Sequence, residues 1–393
     1  MKSKKEKWQK KFIKDVFDRS IDKKKSFSKM ILKNPNLVNE KNEFLPNSLF
    51  KYYAPTSDNI LDIKNQRLWL AHPQSFNDPF DCNIGYDIKK YEKNCLLKFI
   101  NENGCVDESN KEHGFTVSDK NRIIRSRLEN CSYEHEYMTV LWKILETKAD
   151  DFQQKILMPF SLGKAQEISD KIAILRNENI RVACFSNFEK YAEFPNQIVM
   201  WSHYADNHKG FCIEYNLESL KKNTSFSLSD AEFYKEKKNE YLTERNNAII
   251  KAGLFPVEYT ANRVNIPVSK LHKINIDASG NLTYNSNIDE LFYKALLVKS
   301  ANWSFEKEWR IIIDGQVSEY FGNKIPFPYI KTIYVGCKAS IELIKTMTSI
   351  GTEIGAEVVF LYMNETKFHL ESSALNVSYE REKHIKKFKN PYA

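Results

Sequence analysis

The densest patterning of apolar and polar positions lies between Asn196 and Tyr215, NQIVMWSHYADNHKGFCIEY. Ile198 to Tyr204 suit a half-buried helical turn, Asp206 and Asn207 its frayed end, Gly210 a turn, and Phe211 to Tyr215 a buried strand. Upstream, SLFKYYA (48–54) is aromatic and β-prone and is stopped by Pro55. Ser57 or Asp58 can cap a short helix through Ile60, Leu61 and Ile63, and RLWLA (67–71) alternates like a strand. HPQSFNDPFDC (72–82) reads as a compact polar loop held by Phe76 and Phe80, with Asn77, Asp78 and Asp81 between or beside them. Residues of about 88–180 change texture to charged helices, around 88–103, 118–148 and 163–178, before RVACF (181–185) returns to strand.

Downstream, LFPVEYT (254–260) reads as a strand with an edge-type proline, and NIDELFYKALLVKS (287–300) as an amphipathic helix. WRIII enters a buried strand, and IKTIYVG, a helix over 340–351 and EVVFLYM form a β-α-β tail, with KFHL as a short last strand. At the other end, residues 4–33 are lysine-rich, with Trp8, Phe12, Val16, Phe17 and Ile21 at helical spacing, an amphipathic helix expected to dock on the body. The pattern predicts a basic helical extension over 1–45 and one α+β domain over 46–393, a mixed sheet with a helical insertion at about 88–180. Strands alternate with helices only at the end, which argues against a doubly wound sheet.

Composition narrows the classes. The 393 residues are 42% hydrophobic and 13% aromatic, which excludes a disordered chain. The net charge of +8, with much of the excess at the two ends, permits a nucleic-acid or phosphate-bearing partner without demanding one. Seven cysteines (82, 95, 105, 131, 184, 212, 337) include no C-x-x-C pair, so no zinc or redox motif is signalled. The N-terminus lacks a secretory apolar core and no stretch has the length of a membrane span, so a cytoplasmic protein with no membrane partner is expected.

The candidate chemistry sits in SANWSFEKEWRIIID (300–314). If the strand extends back far enough, Glu306, Glu308 and Arg310 share one face, because side chains alternate with period two. Two carboxylates and a guanidinium on one face are costly unless paired or used, so the alternative is a structural ion pair of Arg310. His203 and His208 are five apart and do not share a helix face, so no metal centre is expected from them.

Four blocks occur in order: LFKYYA…LWLAHPQSFNDPFDC, VACFSN…IVMWSHYADNHKGFCIEYN, VKSANWSFEKEWRII and IKTIYVGCKAS. Over about residues 48–340 they resemble the bacterial domain-of-unknown-function family 2971. A weaker resemblance is to ADP-ribosyltransferase domains. In that likeness Lys51 and Tyr52 fall in the first strand, Ser202, His203 and Tyr204 near the middle block, and Glu306-Lys307-Glu308 on the late E-x-E. The sequence departs from that pattern in carrying Lys51 where Arg or His is usual, and in placing Ser-His-Tyr before its strand.

The resemblance implies an ADP-ribosyltransferase-like fold and an NAD-using bacterial effector, of the kind found in stress or phage defence. NAD would be the substrate and Glu308 the central carboxylate, with Glu306, His203 and Tyr204 around it. Tyr52 or Trp201 would stack on nicotinamide. Lys51, Lys299 or Arg310 would hold the pyrophosphate, with Ser202 beside them, and Asn77, Asp78 and Asp81 would hold the second substrate, a protein or nucleic acid, or lock the site. Two rival readings stand beside it. One is a metal-dependent nuclease or phosphodiesterase with Asp78, Asp81, Glu306 and Glu308 on Mg²⁺. The other is a ligand-sensing adaptor without turnover.

Overall fold

In a computed structural model, the β-prone runs assemble into one large sheet. The structure describes residues 43–128, 130–131, 134–157, 180–188, 197–222, 246–247, 249–267, 274–276, 282–284, 288–314 and 322–374, with single positions 8, 11, 41, 170 and 173. The predicted N-terminal helix over 4–33 and the helix over 163–178 therefore lie outside the described residues, apart from Trp8, Lys11, Asp170 and Ala173.

The chain divides into two compact units. The first comprises residues 1–81, 179–262 and 296–393. Its elements are β1 (Ser48–Tyr53), α1 (Ser57–Lys64), β2 (Arg67–Trp69), β3 (Ile180–Ser186), α2 (Ile198–Tyr204), β4 (Phe211–Asn216), β5 (Leu254–Pro256), β6 (Glu258–Thr260), β7 (Val298–Ser300), β8 (Glu308–Asp314), β9 (Lys324–Pro326), β10 (Ile330–Val335), α3 (Ile341–Ile354), β11 (Glu357–Met363) and β12 (Leu370–Ala374). Eight of these strands form a sheet in the order β12-β11-β10-β4-β1-β3-β8-β5. Within this sheet, among the described residues, only β10 and β11 pair in parallel, and α3 connects them, as the β-α-β tail predicts. The other neighbours are antiparallel. A mixed sheet with helices outside it is the α+β architecture expected from the sequence.

Register decides which side chains can meet. Residues directly opposite one another share a face. Phe50 stands opposite Glu214 and Ser186, and Ser186 opposite Glu308; Arg310 stands opposite Cys184. Phe50, Tyr52, Glu308 and Arg310 thus share one face, and α2 packs on it. There Trp201, fully buried, joins Phe50, Tyr52, Cys212 and Tyr334 in one core cluster. Lys51, one residue along, falls on the reverse face, over the rings of Tyr53 and Phe185, with Nζ 3.2 Å from the Cys184 carbonyl oxygen.

The second unit comprises residues 82–178 and 263–295. The segment expected as an insertion supplies its helices Ile88–Asn103, Val117–Arg125, Glu136–Leu145 and Asp150–Leu157. A core of its own, with Leu96, Phe115, Ile123, Leu141, Ile144 and Phe152, holds them. The predicted helix over 118–148 is two helices, because Ser126 takes an extended conformation at the C-terminus of the first. Lys93 donates to the carbonyls of Ile124 and Ser126 at that end, where the last carbonyls of a helix need donors.

Candidate functional site: a buried ion cluster at the start of β8

β8 begins at Glu308 and does not extend back to Glu306. Ala301–Glu306 instead form a 3₁₀ helix, and Lys307 takes a left-handed conformation (φ 48°) that joins helix to strand. The two carboxylates of E-x-E therefore converge by a backbone turn and not by strand alternation. The turn is fastened by the Lys307 carbonyl, which accepts from the Asn187 N–H at 3.0 Å, and by Tyr259, whose hydroxyl accepts from the Glu308 N–H at 2.8 Å. A β-branched residue strains most in the left-handed region. Lys307→Val is expected to lower stability by about 1–2 kcal/mol, and Lys307→Gly to hold or raise it, as read by urea unfolding.

Lys299, on β7, stands between the two carboxylates, with Nζ 2.5 Å from Glu306 Oε2 and 3.0 Å from Glu308 Oε2. It also lies 3.3 Å from Asp81 Oδ2. Arg310 clamps the other side. Its Nη2 donates to both oxygens of Asp81 at 2.7 and 2.8 Å, and its Nε to Glu308 Oε1 at 2.6 Å. Nη1 donates to the Leu296 carbonyl at 2.7 Å, and the Phe76 ring lies 5.7 Å from the guanidinium carbon. All five charged side chains are buried. The tally is two cations against three carboxylates, one negative charge in excess.

That excess falls on Glu306. Burial and the neighbouring Glu308 carboxylate raise its pKa, and the opposing pull of Lys299 does not cancel them. For Glu308 burial works the same way, but Arg310 and Lys299 outweigh it and bring the group down to about 2. Burial disfavours the charge on Lys299, yet Glu308 and Asp81 hold its pKa well above the usual lysine range. Glu306 continues the chain outward, since its Oε1 accepts from the Tyr204 hydroxyl at 2.5 Å. Burial and Glu306 push the Tyr204 hydroxyl upward, so it stays a donor at neutral pH, and Asn77 hydrogen-bonds the same side chain.

These shifts set a pH dependence. Glu308, depressed in the folded state, contributes stability above the unfolded carboxylate range that is lost as pH falls toward 2. Glu306, raised in the folded state, contributes stability below its unfolded value that is lost as pH rises through its folded value. The urea midpoint, followed across pH, is expected to fall on the acid side in the wild type. Glu306→Gln is expected to leave that acid-side fall in place and to remove the separate loss of stability that sets in as pH rises through the folded value of Glu306. An identical profile in that variant would remove Glu306 from this account.

The sequence-named residues divide as follows. The structure brings Glu306, Glu308, Arg310, Asp81, Tyr204 and Asn77 together. Asp78 is engaged in its own loop, where its carboxylate accepts from the Phe80 N–H at 2.9 Å in an Asx-type turn. His203 is exposed, its ring 6.2 Å from Tyr204 and 6.2 Å edge-on to Trp303. Ser202 lies 3.2 Å from His208 and is turned toward that ring. Three placements correct the expected constellation. Lys51 is on the reverse face, because one step along a strand inverts the side chain. Tyr52 and Trp201 pack edge to face at 5.2 Å inside the core, so neither offers its ring to a nicotinamide.

Sequence reasoning did not single out Tyr259, Cys184 or Trp303. Cys184 hydrogen-bonds Glu308 from the neighbouring strand, and the Trp303 ring lies 5.2 Å from Lys299 Nζ. Trp303 stands inside the quoted VKSANWSFEKEWRII block and was legible there; Tyr259 and Cys184 reach the cluster only through sheet pairing.

A family model described as "Protein of unknown function (DUF2971)" matches residues 200–311. That span holds Tyr204, Tyr259, Lys299, Glu306, Glu308 and Arg310, so most of the ion cluster lies within the matched region. Comparisons with curated proteins and with solved structures find no match. Among the described residues no three His, Cys, Asp or Glu side chains are placed to hold a metal ion, and no helix is long and apolar enough to cross a membrane.

Proposed function

We propose that the protein is an NAD-using enzyme of the ADP-ribosyltransferase-like kind, with Glu306 as the carboxylate that meets the substrate. One observation carries the reading. Glu306 joins the buried ion cluster to the half-exposed Tyr204, whereas both Glu308 oxygens are taken by Arg310 and Lys299. Glu308 is thus the positioning residue, and Glu306 the group with a reason to change protonation.

Breaking the bond between nicotinamide and ribose builds positive charge on the sugar. A carboxylate beside it stabilises that charge, and accepts a ribose hydroxyl proton in hydrogen bonding, without rearranging its own surroundings. Lys299 holds Glu306 in place for this and is itself held by Glu308, and displacement of the Tyr204 hydroxyl by a ribose hydroxyl would open the carboxylate. Trp303 and His203 offer flat rings beside Tyr204 for a planar base. The magnesium-dependent nuclease reading is less favoured, because Lys299 and Arg310 already occupy the positions next to the carboxylates that a divalent cation would take.

The test is NAD consumption by the purified protein, alone and with protein extract, DNA or RNA, each with and without EDTA. Turnover that persists under chelation is the expected result. Its absence with every acceptor would overturn the proposal, and turnover or nucleic-acid cleavage that requires added magnesium would favour the nuclease.

A further inference from the structure

The turn between α2 and β4 carries a feature that the ion cluster does not use. Asp206, Asn207 and His208 have φ of 46°, 53° and 69°, three consecutive non-glycine residues in the left-handed region. Asp, Asn and His tolerate that region better than other non-glycine residues, at no more than about 1–2 kcal/mol each, but three in succession still need surroundings that hold the conformation. They do so through close backbone approach. The His208 carbonyl accepts from the Lys338 N–H at 3.0 Å, and a Cβ on Gly336 would lie 2.2 Å from that carbonyl oxygen. A Cβ on Gly210 would lie 2.1 Å from the Tyr53 carbonyl oxygen. Two glycines thus let the turn be clamped between the ends of β1 and β10.

The clamped turn sets the His208 ring against Ser202 of α2, with Nε2 3.2 Å from the Ser202 Oγ. The ring's other nitrogen, Nδ1, is buried and has no hydrogen-bond partner among the described residues. Ser202 is half-buried, so its hydroxyl is within reach of solvent. Its one proton has two acceptors to choose between, the Ile198 carbonyl at 2.9 Å and the imidazole. A neutral imidazole is much the stronger base. Burial and Lys338 lower the His208 pKa, which keeps the ring neutral. Asp206 and Lys209 on the same turn are exposed, and among the described residues Lys338 is the charge that acts on the ring.

We propose that Ser202 and His208 form a second reactive centre, separate from the ion cluster, in which Ser202 is the nucleophile toward carboxylic esters and related activated acyl or phosphonyl compounds. The Ser202 oxygen bonds to the acyl carbon as its proton passes to His208 Nε2. The ester C–O bond breaks and the alcohol leaves with that proton. Water, deprotonated by His208, then cleaves the acyl-serine and restores both residues. The strained turn fixes the base at hydrogen-bond distance from the nucleophile.

The full chain, incubated with a fluorophosphonate probe and mapped by peptide mass spectrometry, tests this. The serine oxygen–phosphorus bond forms, fluoride leaves, and the proton goes through His208 to solvent. The adduct is expected on Ser202, absent in Ser202→Ala, and formed at least about 100-fold more slowly in His208→Gln. The labelling rate is expected to fall on the acid side as the imidazole takes a proton. Lys338→Met removes a neighbouring positive charge from the surface, and is expected to shift that fall to higher pH. No adduct on Ser202, an unchanged rate in a folded His208→Gln, or a pH profile unmoved by Lys338→Met would each overturn the proposal.

Discussion

Replacing Arg310 with methionine is expected to destabilise the first unit by about 3–5 kcal/mol, the loss typical of removing one partner from a buried ion pair. Methionine fills a similar length, so the loss is mainly electrostatic. Without the guanidinium, three buried carboxylates face Lys299 alone. Asp81 loses a two-oxygen clamp, Glu308 loses its Nε donor, and the Leu296 carbonyl loses its partner. Part of the penalty would be relieved by protonation of a carboxylate, so the loss is expected to shrink as pH falls. Arg310→Lys restores the charge without the planar fork and is expected to recover only a fraction. Urea unfolding of the three proteins at two pH values measures this. A loss below about 1 kcal/mol, the range of exposed pairs, would show that the cluster does not hold this end of the sheet together.

Glu306→Gln is expected to abolish most NAD turnover, about 10²–10⁴-fold, while leaving the fold intact. The charge tally explains the second half of that statement. With one negative charge in excess, a neutral side chain at 306 balances the cluster, and glutamine can still accept from Tyr204 or Lys299. Glu308→Gln is different, because it sets an amide N–H₂ against Arg310 or Lys299, both donors, in a buried site. It is expected to lose activity through lost stability, with a lowered urea midpoint. If Glu308→Gln is well folded and inactive while Glu306→Gln keeps its turnover, the assignment of the two carboxylates is reversed.

Much of the architecture could be read from the chain. Apolar periodicity located β1, α2, β4, β8 and the β10-α3-β11 tail, because each has a one-sided or fully apolar pattern that only burial explains. The residue types at the site were legible as well. Glu306, Glu308 and Arg310 stood out as charges in or beside a run, WRIII, that had to be buried, and Asp81 and Asn77 as polar residues in a loop expected to be held by Phe76 and Phe80, of which Phe80 is exposed in the structure. What the chain alone determines is therefore which segments are buried and which charged residues must go with them.

The partners of those charges were decided by tertiary structure. Asp81 meets Arg310 across 229 positions, a separation over which no local spacing carries information. The antiparallel register of β1, β3 and β8 put Tyr52 on the cluster's face and Lys51 on the other, though the two are neighbours in sequence. A left-handed residue at 307, and not strand alternation, turned Glu306 toward Lys299. The same holds for Asp206 and Asn207, expected as a frayed helix end and instead part of a turn over 206–208 clamped at Gly210 and Gly336. In each case the local sequence leaves the backbone more than one conformation, and long-range packing selects one of them.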